Sequence, residues 1–218
     1  MIENSMSEIL KGENNLDKAL KYATIMHEGQ LRYGGVPYIN HPKRVAQYVR
    51  KYKQSNSIEM LMMCAYLHDT LEDTKATYYD LVNIFGPQVA SIVLELTTDE
   101  DLKKEIGKER YLEIKMKNMS SWALVIKLCD RLDNISDLEN ASIQFRQKYT
   151  KETLQIIYYL LENRELSYTQ LNIIKQIIII LNNLEKYIEE DSKSLNLLDS
   201  INHLELENKS KIKILKIQ

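Results

Sequence analysis

Apolar positions along the chain recur at intervals of three and four residues, and alternating runs that would mark half-buried strands are hard to place. The first stripe, Leu16, Ala19, Leu20, Ala23 and Met26, predicts a helix over 15–28. The stretch GQLRYGGVPY breaks it through Gly34, Gly35 and Pro37 and predicts the first loop. Asn40 is placed to cap the next helix, which tolerates Pro42 in its first turn and runs to about Lys51. A third helix is expected over roughly 57–70, and shorter ones at 77–84 and 87–97, divided by Gly86-Pro87. Longer helices are expected at 105–118, 121–138, 151–163 and 167–189. The stretch 191–218, rich in Ser, Asn, Lys and Leu with weak periodicity, reads as a helical or partly disordered appendage. The pattern predicts an all-α fold, a bundle of about eight to ten helices.

Composition narrows the class. A chain of 218 residues, 44% hydrophobic and 28% charged, can bury a sizeable core and suits one domain, or one domain with an extension. Lys plus Arg number 29 against 31 Asp plus Glu, a net charge of -2, so broad attraction to nucleic acid or to an anionic membrane is not expected and any phosphate-binding surface must be local. Cys64 and Cys129 sit singly inside apolar helical runs, which points to the core and to a reducing cytoplasm rather than to disulfides. The start, MIENSMSEIL, lacks a basic stretch followed by an apolar core, and IIIIL at 177–181 falls far short of the ~20 residues a membrane helix needs. A cytoplasmic protein without a membrane anchor is expected.

The segment AYLHDTLEDT then poses a problem. Behind the apolar run MLMMCAYL it crowds His68, Asp69, Glu72 and Asp73, and three carboxylates within five residues need either open water or a cation. His41 in YINHP and Asp130 in IKLCDRLDN are the other candidates. Two imidazoles with two carboxylates suit manganese, iron or zinc better than magnesium or calcium. A His-Asp dipeptide by itself carries little weight, since a histidine near a helix end is commonly a surface or capping residue. Asp130 lies in WALVIKLCDRLDNI, where residues 124, 128, 132 and 135 form the core stripe and Asn134 follows one turn later on the same face. It is either a ligand or a surface carboxylate paired with Lys127 or Arg131. Met62 and Met63 join the cysteines in the expected core.

Four blocks in order, HEGQLRYGGVPYINHPKRVA, AYLHDTLEDT, FGPQVASIVLELT and VIKLCDRLDNISDL, closely resemble the HD-type hydrolase domain of the RelA/SpoT homologues, the enzymes that degrade the alarmone guanosine tetraphosphate. The resemblance covers roughly residues 17–160. It implies an HD hydrolase domain over 1–165 and a helical C-terminal extension over 166–218, with no synthetase region, as in the stand-alone small alarmone hydrolases of animals. It further implies one manganese ion held by His41, His68, Asp69 and Asp130, with Glu72 and Asp73 as the acidic pair that orients and deprotonates the attacking water. One turn separates Glu72 from His68 and Asp73 from Asp69, so both reach over the metal if the helix persists that far.

For the substrate, Arg32 corresponds to the family arginine that lies against guanine and Asn134 to an asparagine near the nucleotide, while Arg110 and Lys148 are placed to meet the diphosphate. His27 resembles a structural residue rather than a ligand. Tyr33 departs from the lysine that many relatives carry beside the arginine. The activity implied is manganese-dependent hydrolysis of guanosine 3′,5′-bis(diphosphate), ppGpp, to GDP and pyrophosphate, the degradation of ppGpp and pppGpp in the stringent response. Two alternatives stand beside it: hydrolysis of another phosphorylated nucleotide, such as the 2′-phosphate of NADPH or an adenosine alarmone in antitoxin fashion, and a non-catalytic nucleotide-binding module using 165–218 as a partner surface. The expected partner is a small nucleotide, with no nucleic acid and no membrane; a homo-oligomer is left open.

Overall fold

The computed structural model describes residues 10–32, 34–138 and 141–185. Those residues form eleven helices and no sheet, with one isolated antiparallel bridge between Leu31 and Pro37. The helices are α1 (Asn15–Met26), α2 (Asn40–Tyr52), α3 (Ile58–Leu67), α4 (Thr70–Asp73), α5 (Tyr78–Phe85), α6 (Pro87–Leu96), α7 (Glu100–Ile106), α8 (Lys108–Asn118), α9 (Ser121–Ser136), α10 (Ile143–Asn163) and α11 (Tyr168–Glu185). Nine of them have eight residues or more, within the number expected from periodicity. No helix among the described residues is long and apolar enough to cross a membrane. The chain divides into two units, Met1–Lys103 and Lys104–Gln218.

The first unit is organised on α3. That helix is apolar on nearly every side, so it has to be covered all round, and it packs against α1, α2 and α6. Leu61, Cys64, Ala65 and Leu67 are fully buried, and Met62 and Met63 nearly so. Each such leucine contributes roughly 1.5–3 kcal/mol by leaving water. Between α5 and α6 stands Gly86 at φ +85°, a backbone region that side chains disfavour, and Pro87 opens α6 at the position where its missing N–H costs nothing. In the second unit α9 buries Leu124, Leu128, Leu132, Ile135 and Cys129 and packs on α11, while α10 packs on α8 and α11.

Several boundaries differ from those expected. Ile39 occupies the cap position of α2 and makes no side-chain capping bond, so Asn40 is the first helical residue rather than the cap. Helix α3 stops at Leu67, with His68 as its C-cap, and the chain restarts for a single turn in α4. Helix α7 lacks an apolar stripe and buries no side chain, which hid it from periodicity. Helix α10 starts at Ile143, eight residues before the expected 151, because Ser142 Oγ caps it by accepting the Phe145 N–H at 3.3 Å while Ile143 and Phe145 remain exposed and leave no stripe. The end of the last expected helix and the appendage 191–218 lie outside the described residues, as does Tyr33.

Candidate metal and hydrolytic site

In the first unit, the hairpin turn before α2 sets the site. Arg32 donates its N–H to Val36 O at 2.9 Å, Gly35 to Arg32 O at 2.9 Å, and Tyr38 to Gln30 O at 2.9 Å, with Gly34 and Gly35 both at positive φ. The chain thus doubles back and delivers Tyr38 and, as the second residue of α2, His41, which is buried. Helix α3 delivers His68, also buried, with Nδ1 at 2.8 Å from Ala65 O. A carbonyl can only accept, so Nδ1 is the donor here, which leaves Nε2 facing the site, the orientation of a metal-ligating histidine. His68 Nε2 lies 3.0 Å and His41 Nε2 3.6 Å from the same Asp69 Oδ2, and the two rings stand 5.1 Å apart. Two imidazole nitrogens and one carboxylate oxygen therefore converge in a mostly dry place, a donor set that fits a divalent transition ion.

The two members of the acidic pair, both in α4, turn to different partners. Glu72 turns one oxygen to the Thr98 N–H at 2.8 Å, whereas Asp73 accepts from the Tyr38 hydroxyl at 3.2 Å. The same hydroxyl donates to Asp69 Oδ2 at 2.6 Å, so one phenol spans a metal-type ligand and an acidic residue. Burial, then the nearby charge of Asp69, push the Asp73 carboxyl above its usual range; Glu72 adds to this, while the Tyr38 hydrogen bond and His27 oppose it. Gln30 Nε2 donates to Asp73 O at 2.8 Å, His27 Nδ1 lies 2.8 Å from Gln30 Oε1, and the His27 ring stacks on Tyr38 at 4.7 Å. Tyr38 and Gln30 escaped the sequence reading. Their signal is adjacency, since Tyr38 stands three residues before His41 and Gln30 three after His27.

In the second unit, Asp130 is buried, which excludes a surface carboxylate. It nevertheless pairs with Lys127 Nζ at 2.9 Å, and its other oxygen accepts from Asn134 Nδ2 at 2.7 Å, as the one-turn spacing predicts. Arg131 turns elsewhere: its Nη1 and Nη2 each lie 3.4 Å from Glu152 Oε1, and Nη1 donates to Thr153 Oγ1 at 2.9 Å. Arg110 is exposed, 3.1 Å from Glu113 Oε2 and 5.4 Å from the Tyr159 ring, and the Glu113 hydrogen bond raises its pKa. Lys148 is exposed on α10, and Arg32 is half-buried in the hairpin of the first unit.

Residues 19–165 match the family model described as the HD domain. The chain belongs to the HD domain family. Among its HD relatives is guanosine-3′,5′-bis(diphosphate) 3′-pyrophosphohydrolase MESH1 of Drosophila melanogaster, 37% identical over 124 residues, covering 56% of this chain and 68% of the relative. Another is the bifunctional (p)ppGpp synthase/hydrolase SpoT of Escherichia coli, 36% identical over 146 residues, covering 65% of this chain. The chain spans about a fifth of the length of SpoT and of the similarly long mycoplasmal relative. A solved structure of a metazoan SpoT ortholog, described as hydrolysing ppGpp and acting in starvation responses, superposes with a TM-score of 0.66 at 28% identity, over 79% of this chain and 96% of that one. In this HD domain the defining dipeptide, His68-Asp69, lies between α3 and α4, where His68 (φ -58°, ψ -32°) keeps helical dihedrals and Asp69 (φ -101°, ψ 0°) is the looser of the two.

Proposed function

We propose that this HD domain hydrolyses guanosine 3′,5′-bis(diphosphate), ppGpp or pppGpp, at its 3′-pyrophosphate, and that the reaction takes place in the cytoplasm. The observation that carries the reading is the Tyr38 hydroxyl bond shared by Asp69 and Asp73, which sets a candidate base beside a candidate metal ligand. The names borne by the fly relative and the metazoan structure support the substrate. In this proposal residues 1–165 are the hydrolase domain and 166–218 an extension, and His41, His68, Asp69 and Asp130 hold one manganese ion. Such an ion, when bound, supplies Lewis-acid stabilisation of charge on the phosphate oxygens and acidifies water.

The chain's own residues do the rest. Asp73 accepts a proton from the attacking water, and Glu72, anchored by the Thr98 N–H, turns its second oxygen to orient it. The water oxygen bonds to the phosphorus on the 3′-oxygen, the bond from that phosphorus to the 3′-oxygen breaks, and the 3′-oxygen takes up a proton. Pyrophosphate leaves as a unit and GDP remains when ppGpp is the substrate. Arg32 lays a flat cation on guanine, Asn134 holds the nucleotide, and Arg110 and Lys148 meet the diphosphate.

The test incubates the purified protein and manganese with ppGpp, NADPH and an adenosine alarmone in parallel. Release of pyrophosphate from ppGpp is expected. Release of orthophosphate alone, or consumption of NADPH with ppGpp untouched, overturns the reading.

A further inference from the structure

The one-turn helix α4 has too little hydrogen bonding of its own to hold a catalytic pair still: Glu72 and Asp73 donate to Asp69 O at 3.2 and 2.9 Å, and Asp73 is already its last residue. Glu72 is held by the Thr98 N–H, and Asp73 by residues more than thirty positions earlier. Gln30 donates its amide to Asp73 O at 2.8 Å. His27 Nδ1, facing the Gln30 side-chain oxygen at 2.8 Å, must be the donor there, and this fixes which way the Gln30 amide points. His27 is 3% exposed, and among the described residues its Nε2 is buried with no hydrogen-bond partner, so the ring's polar work is confined to Nδ1. Its face stacks on Tyr38 with an interplanar angle of 29°.

We infer that Tyr38 and Gln30, braced by His27, are positioning residues that keep Asp73 in register with the metal-ligand carboxylate of Asp69. The phenol has one hydrogen, shared between Asp69 Oδ2 at 2.6 Å and Asp73 Oδ2 at 3.2 Å, so it bridges the two carboxyl groups. Gln30 pins the backbone of the same turn from the other side. Neither residue needs to touch the nucleotide; each acts through Asp73. The inference rests on the hydrolase reading above.

A double-mutant cycle in the full chain with manganese tests it. Tyr38→Phe keeps the ring on His27 and removes only the hydroxyl; kcat is expected to fall on the order of 10-fold, with KM and bound manganese unchanged within about twofold. In an Asp73→Asn background the same substitution is expected to cost less than about twofold, because the residue it positions is gone. The same loss in both backgrounds, a rise in KM with kcat intact, or loss of the metal overturns the inference.

A second readout needs no turnover. In the metal-free protein, hydrogen exchange of the amides of residues 70–76 is expected to quicken in Tyr38→Phe and in Gln30→Ala, with α2 and α6 unchanged. Unchanged exchange overturns the bracing role. If the wild-type protein cleaves none of the nucleotides, the hydrolase reading falls, and exchange still decides whether the brace exists.

Discussion

His68 Nε2 stands 3.0 Å from Asp69 Oδ2, although the two residues are neighbours in the chain and a continuous helix would point them about 100° apart. The two stand between helices, His68 as the C-cap of α3 and Asp69 as the N-cap of α4, with the Asp69 backbone turned to φ -101° and ψ 0°. A divalent ion would be held by both groups, and removing one of them would leave the other without its share of the charge balance.

His68→Ala is therefore expected to lose both bound metal and activity, since one ligand fewer weakens a site already crowded with carboxylates. Elemental analysis of the purified variant checks it. Full metal occupancy would remove His68 from the ligand set.

The separate anchoring of the acidic pair predicts unequal effects. Asp73→Asn is expected to lower turnover by ~100-fold or more, the usual scale for losing general-base assistance. Glu72→Gln is expected to cost less, because the carboxamide oxygen still accepts the Thr98 N–H. Steady-state kinetics with metal content measured in parallel separates the two, and equal losses would argue against Asp73 as the proton acceptor.

Arg32 belongs to the hairpin and not to the metal-type cluster, so Arg32→Ala is expected to raise KM for ppGpp more than it lowers kcat, as stacking serves ground state and transition state alike. A fall in kcat with KM unchanged would assign Arg32 to the chemistry.

The second unit offers a test of stability. Arg164 Nη1 lies 3.0, 2.8 and 2.6 Å from the carbonyls of Met116, Lys117 and Met119, closing the C-terminal end of α8. Arg164→Ala is expected to cost about 2 kcal/mol, roughly 4–8 °C in Tm, the scale of a charged donor lost from a helix end. Denaturant unfolding and calorimetry read it; a change below about 0.5 kcal/mol would mean that water caps those carbonyls equally well.

Much of this protein was legible along the chain. Leu124, Leu128, Leu132 and Ile135 recur at helical spacing and are buried, and Asn134 reaches Asp130 one turn away, because both facts depend only on the geometry of a single helix. Gly86-Pro87 divides α5 from α6 for an equally local reason, the backbone preferences of those two residues. The tertiary structure decided what joins distant segments. Tyr38 meets Asp69 and Asp73 across 31 and 35 residues, and Glu72 meets Thr98 across 26, contacts that depend on how helices pack and leave no periodic trace. The break after Leu67 was hidden for the same reason: AYLHDTLEDT has no Gly or Pro to announce it. Whether Asp130 was surface or core was likewise settled by packing, since Asp130 is buried beside the apolar stripe of its own helix, which periodicity alone does not decide for a polar residue at the stripe's edge.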